Sequence, residues 1–319
     1  ADAYLIKCCE QSKSFAERAA AVGILGCTGV SARQHVSQVL KRLSDVDEDV
    51  RACALKAMRR LGSFELKKHL AQAMRLVVND PHPTSRTAAV NVLGELDLAS
   101  FIPLLPKLCE QLQKETNNSV LHRLRKVIAA KLGPARLKTH VTLFLPMLSR
   151  TDAPASQTAV LQLLGKLEPD ALREVLHHVA KLVESPTTEG KVANTAITTI
   201  AKAGFPECEA LIVKQLDVEA RQGAALIAMQ KMEPSALVHH SDKLIELLQE
   251  SSVTKAAVET LCKLGIRLSE RVDSSLVPLL SHGDSYVRVA ALQVMAKLPA
   301  SVLTPLKVSL FKCLEDGNA

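Results

Sequence analysis

The sequence predicts an all-α chain assembled from about nine two-helix repeats. Three observations predict it. A basic or polar residue followed by a small-residue helix recurs at 18, 51, 86, 123, 158, 191, 221, 255 and 288, in steps of 30 to 37 residues. Each interval divides into a segment with one apolar stripe and a segment packed with Ala. The apolar mass is Ala, Leu, Val and Ile: 47% of the 319 residues are hydrophobic, only 3% are aromatic, and there is no Trp. Thin helices lying close on one another need such side chains, whereas a large globular core or an aromatic ligand cage uses more rings.

The elements follow in chain order. The repeated phrase is clearest at residues 44–62, SDVDEDVRACALKAMRRLG, and returns at 79–94 and 281–298. The first helix of a repeat carries Leu, Ile and Val three and four residues apart, as in 35–43, 101–112, 137–148, 175–184, 241–250 and 274–281. A turn rich in Asp, Asn, Ser, Pro and Gly follows, and its Asp and Ser side chains suit helix N-caps. The second helix is Ala-rich, so that neighbours approach closely. Its end at Gly26, Gly62, Gly94, Gly133, Gly165, Gly204 or Gly265 predicts a left-handed C-cap. No strand, low-complexity linker or composition break interrupts the pattern, which predicts one continuous array over 1–319. The chain opens within a first helix and stops at LEDGNA (314–319), before a second helix. Uncapped ends of this kind predict a piece of a longer array, or ends that dock on neighbouring subunits.

Charge divides the chain. Residues 1–150 hold 23 Lys and Arg against 13 Asp and Glu, and the remainder holds 17 against 20. A basic front half (1–150) and a mildly acidic back half (151–319) predict two different contact surfaces. The eight Cys form no CxxC pair, and several sit at apolar helical positions such as Cys53 and Cys262. They read as buried free thiols suited to a reducing intracellular compartment, cytoplasm or nucleus. No apolar run approaches the ~20 residues that span a bilayer, and the start ADAYLIKCCEQS lacks the order of a secretory signal.

An Asp-containing turn, then Val-Arg, an Ala-rich helix and Leu-Gly resembles the HEAT-repeat family. The matching positions are Asp45, Val50 and Arg51, then Asp80 and Arg86, then Val287 and Arg288; Thr158 and Lys191 replace the Arg in the middle repeats. The resemblance covers essentially the whole chain. It implies a right-handed α-solenoid of about nine HEAT-like two-helix repeats, with first helices on the convex face and second helices on the concave one. It also implies a scaffold that binds other macromolecules.

Asp45, Arg51, Asp80, Arg86 and Arg288 read as a structural ladder between repeats, because a buried guanidinium needs an acid or carbonyl partner. Two basic groups are the candidate macromolecule-binding residues. One is Lys56, Arg59, Arg60, Lys67 and Lys68; the other is Arg123, Arg125, Lys126, Lys131, Arg136 and Lys138. The second group suits phosphates, an acidic protein surface or plain solvation. The near-absence of aromatics argues against a single-strand binder that stacks bases. GxxxxGK[ST], GxGxxG and GxSxG are absent. So are the paired His-Glu motifs by which HEAT-like deoxyhypusine hydroxylases hold iron. His177-His178 and His239-His240 are adjacent residues that diverge by about 100° on a helix and do not chelate. Asp45, Asp47, Glu48 and Asp49 lack the EF-hand spacing.

The sequence therefore predicts no catalytic, cofactor-binding or metal-binding residue. It predicts a non-enzymatic protein-protein interaction scaffold, a subunit or segment of a larger assembly whose partners carry an acidic surface. A nucleic-acid or ribonucleoprotein binder using the basic front half is the alternative. No membrane span and no small-molecule substrate is expected.

Overall fold

A computed structural model describes residues 2–27, 35–60, 63–204 and 206–314. Gly62 and residues 315–319, singled out in the sequence, lie outside the described residues. Among the described residues every regular element is a helix or helical turn, and no helix is long and apolar enough to cross a membrane. The chain divides into two compact units, residues 1–168 and 169–319.

In the first unit the helices are α1 (Asp2–Gln11), α2 (Phe15–Leu25), α3 (Val36–Lys41), α4 (Glu48–Arg59), α5 (Ser63–Lys68), α6 (Leu70–Asn79), α7 (Pro83–Leu93), α8 (Leu98–Phe101), α9 (Leu105–Lys114), α10 (Asn118–Thr139), α11 (Leu145–Leu148) and α12 (Pro154–Leu164). In the second they are α13 (Pro169–Glu184), α14 (Gly190–Ile200), α15 (Pro206–Lys214), α16 (Glu219–Met229), α17 (Pro234–Leu237), α18 (Ser241–Glu246), α19 (Thr254–Cys262), α20 (Ser269–Arg271), α21 (Ser285–Met295), α22 (Ala300–Leu303) and α23 (Lys307–Leu314).

The second, or B, helices are α2, α4, α7, α10 and α12 in the first unit and α14, α16, α19 and α21 in the second. Within each unit successive B helices lie side by side. Their inner faces carry Ala and medium aliphatics: Ala52, Ala54, Ala57 and Met58 on α4, and Ala88, Ala89, Val90 and Val92 on α7, all buried. Small side chains keep helix axes at the close end of the ~8–10 Å range. The B helices are uninterrupted except at Gly133, where φ 61° and ψ 175° break α10 before Pro134.

The first, or A, helices are not the unbroken rods expected from the stripes at 101–112, 137–148 and 274–281. Residues 98–114 form α8, a 3₁₀ turn Ile102–Leu104 and α9; residues 141–148 form a 3₁₀ turn and α11; residues 272–281 form a π turn and a 3₁₀ turn. Pro103, Pro106, Pro146 and Pro278 sit in these pieces. Each removes a backbone donor and crowds the turn before it, so the stripe survives while the helix steps.

The glycines also differ from expectation. Gly133, Gly204 and Gly265 have positive φ, but Gly26 and Gly94 end their helices in the right-handed region and Gly165 ends its helix at φ −66°, ψ 2°. At Gly26 the requirement is room: a Cβ there would lie 2.7 Å from Ala57 Cα, on the neighbouring B helix.

Candidate functional site

The polar groups inside the first unit form a repeated joint. Arg18, Arg51 and Arg86 each stand four residues after the N-cap of a B helix (Ser14, Asp47, His82). Arg51 forks onto Asp80 of the next repeat, Nε to Oδ2 at 2.6 Å and Nη2 to Oδ1 at 2.8 Å, and its Nη1 donates to the carbonyls of Asp45 and Val46 at 2.8 and 3.0 Å. Arg18 repeats this on Asp45 at 2.9 and 2.8 Å, with Nη1 on the carbonyls of Ser12 and Lys13. Arg86 repeats it on Glu115 at 2.8 and 2.7 Å, with Nη1 on those of Asp80 and Pro81.

Each carboxylate faces two ways. Asp45, Asp80 and Glu115 also accept the backbone N–H two residues ahead, from Asp47, His82 and Asn117 at 3.1, 3.0 and 2.9 Å. Burial alone would push these carboxyls up. The guanidinium and backbone donors outweigh it, and all three end below their ordinary values. Arg288 has the same register and donates to the carbonyls of His282 and Gly283 at 2.8 and 3.1 Å.

Repeat boundaries counted on Arg123, Thr158 and Lys191 shift. In cap register those places belong to Leu121, Gln157 and Ala193, because the N-caps are Asn117, Ala153 and Glu189. Gln157 takes over part of the Arg role by donating to the Leu148 carbonyl at 2.8 Å. Arg221 reaches back instead, to the carbonyls of Val183 and Ser185 at 2.6 and 3.0 Å. The ladder expected from the sequence lacks Arg18 and Glu115; a fixed step of 35 residues from Asp45 through Asp80 to Glu115 is the signal that marks the latter.

The eleven basic candidates separate into two places. Lys56 lies nine residues after its N-cap and Lys126 lies nine after Asn117, with Asn91 in the same register between them. The three share a register on adjacent B helices; Lys56 and Lys126 are exposed and Asn91 is half-buried. Two inter-helix steps put them roughly 20 Å apart. Arg59 and Arg60 join Lys56 around a shallow depression completed by Ala88, Asn91 and Glu95. Arg59 pairs with Glu95 across the helix gap at 2.6 Å, and Arg60 meets Cys27. Arg123 and Arg125 flank Lys126. Arg125 lies 3.2 Å from His122 Nδ1, and desolvation by its neighbours, with the charges of Lys126, Arg125 and Arg123, lowers the pKa of the exposed His122.

Lys67, Lys68, Lys131, Arg136 and Lys138 belong to the edge where B helices end and A helices begin. Lys67 pairs with Asp97 at 2.5 Å, which helps bring that carboxyl to about 2. Lys131 donates to the Leu96 carbonyl. Lys263 does the same to Gln230 in the second unit. Lys131 and Lys263 thus cap the carbonyl end of the preceding B helix, where cations are favoured.

All eight Cys are free thiols, but only Cys9, Cys109, Cys208 and Cys313 are buried as expected; Cys8, Cys53 and Cys262 are half-buried and Cys27 is exposed. Burial pushes Cys109 to about 12 and also raises Cys9 and Cys262. His177 and His178 lie with ring centroids 3.9 Å apart. No group of three His, Cys, Asp or Glu placed to hold a metal occurs among the described residues.

No family model matches this sequence. No curated protein matches it either. Solved structures do. Kap121p is 13% identical over 98% of this chain and 39% of its own, with a TM-score of 0.70. The karyopherin Kap121p bound to the extreme C-terminus of the protein phosphatase Cdc14p gives 13%, 98%, 39% and 0.72. The fold is that of a HEAT-repeat α-solenoid. This chain spans about two fifths of the length of the Kap121p chains it resembles, and at such identity the likeness concerns the fold.

Proposed function

We propose that this chain is a non-enzymatic protein-interaction scaffold, a segment or subunit of a larger assembly, working in the cytoplasm or nucleus. Its partner presents an acidic surface to the outward face of the B helices of the first unit. The observation that carries the reading is the shared register of Lys56 and Lys126, with Arg59, Arg60 and Arg123 around them and Glu95 as the acid lining the depression beside Lys56. The buried charges Arg51, Asp80 and Glu115 are already engaged within the joints, whereas Lys56 and Lys126 are exposed. Kap121p, with the same fold, has been seen bound to Nup53p, to RanGTP and to Ste12p. A stack of helix pairs exposes much surface for its mass, which suits extended protein ligands.

The test is charge reversal. Lys56→Glu with Lys126→Glu changes two exposed side chains and leaves the joints alone, so helicity by circular dichroism should match wild type. Partners that co-purify quantitatively with the wild-type chain should be lost from the double variant. Unchanged co-purification ends the reading. Retention on duplex DNA or RNA, with affinity falling steeply in salt, would transfer this face to a nucleic acid.

A further inference from the structure

The tight packing of the B helices has a counterpart on the other layer. The neighbouring A helices α6 and α9 leave a groove of about 570 Å³ between them. One wall is apolar and runs along α6: Leu70, Met74 and Val78, one turn apart each, with Val78 42% exposed. The other wall carries Lys107 and Lys114 of α9, exposed and two turns apart, with Glu110 between them. Arg75 adds a third cation on the α6 side and donates to Ser44 Oγ at 3.1 Å.

We propose that this groove docks an amphipathic acidic helix of a partner protein. A helix fits the spacing. Apolar positions at i, i+4 and i+8 along one wall span about 12 Å, and cations at i and i+7 along the other span about 10 Å, which a helix laid parallel to both can match turn for turn. A helix in a groove is recognised by anchors of this period. Charge selects the sign: three cations against one carboxylate attract acids to the rim, while Leu70 and Val78, either side of the buried Met74, take the apolar anchors. Glu110 sets the register, favouring a base between two acids. The site lies on the A layer, so it is separate from the B-helix face that carries Lys56 and Lys126.

The probe is a fluorescein-labelled helical peptide of about 18 residues, with Leu along one stripe and Glu at i and i+7 beside it. Its binding is read by anisotropy. The wild-type chain should bind it saturably. Lys107→Glu with Lys114→Glu should weaken binding about tenfold or more, and a peptide with Lys in place of those Glu should restore it on that variant. Val78→Glu should abolish binding by placing a charge on the apolar wall. A peptide of the same charge broken by a central Pro should bind neither form. Lys56→Glu with Lys126→Glu should leave the affinity unchanged, which separates this site from the B-helix face. Any of three results overturns the proposal: no saturable binding up to about 500 µM, equal affinity for the acidic and basic peptides, or full binding by the Pro-broken peptide.

Discussion

Arg51 shows why the joint between repeats is built on a guanidinium. Its fork meets both oxygens of Asp80 while Nη1 still reaches two carbonyls of its own turn. A lysine has the charge but not five donors held in one plane. The Arg51 side chain is 9% exposed and that of Asp80 1%. Arg51→Ala would therefore leave a buried carboxylate held by the His82 N–H, at a cost of about 3–5 kcal/mol. Arg51→Lys should fall between this variant and wild type, and urea midpoints at constant m-value would rank them. The same joints set an acid limit. Asp45, Asp80 and Glu115 titrate below their unfolded values, so their stabilisation is complete above about pH 4 and is lost as pH falls through the lowered folded values. Unfolding followed from pH 6 to pH 2 should show stability falling below about pH 4 in wild type. Asp80→Asn should flatten that fall; an unchanged profile would remove Asp80 from the account.

At the scale of elements, the alternation of Ala-rich and Leu-rich segments was legible because each helix buries only one stripe. The breaks were harder to see. Apolar positions in 101–112 keep helical spacing across Pro103 and Pro106, so periodicity alone reads as one rod where the chain forms α8, a 3₁₀ turn and α9. The helix-ending glycines look alike in sequence but answer to different physics, and this can be tested. Gly26→Ala inserts a Cβ against Ala57 and should cost about 1–3 kcal/mol through overpacking. Ala57→Gly should return part of that loss in a double-mutant cycle. Gly133→Ala meets no atom within 4 Å, yet φ 61° and ψ 175° are nearly closed to residues with a Cβ, so it should cost about 1–3 kcal/mol through the backbone. Neighbouring substitutions should not relieve it. Thermal melts of the four variants decide between room and conformation at each site.

For the whole molecule, the all-helical repeat architecture was legible because a period near 35 residues leaves little else for the chain to form. The site was less so. Basic residues close in sequence, Lys56 and Lys67 or Lys126 and Lys138, part company at the turn between B and A helices; Lys56 and Lys126, far apart in sequence, share a register. Only counting from the N-caps reveals that, and the caps vary among Asp47, His82 and Asn117. The same counting exposes an uneven stack within the first unit. Charged joints link α2 to α4, α4 to α7 and α7 to α10 through Arg18, Arg51 and Arg86. Between α10 and α12 both partners change: Leu121 holds the Arg place, and Thr151 stands two residues before the cap where Asp45, Asp80 and Glu115 stand elsewhere. Contact between successive B helices also thins from α2–α4 to α10–α12. In a stack stabilised by nearest neighbours, the weakest joint opens first. Native-state hydrogen exchange should therefore find the amides of α12 less protected than those of α4 and α7, with α12 opening at lower denaturant. Equal protection across the four joints would mean that apolar packing alone sets local stability and that the charged rungs contribute register rather than strength.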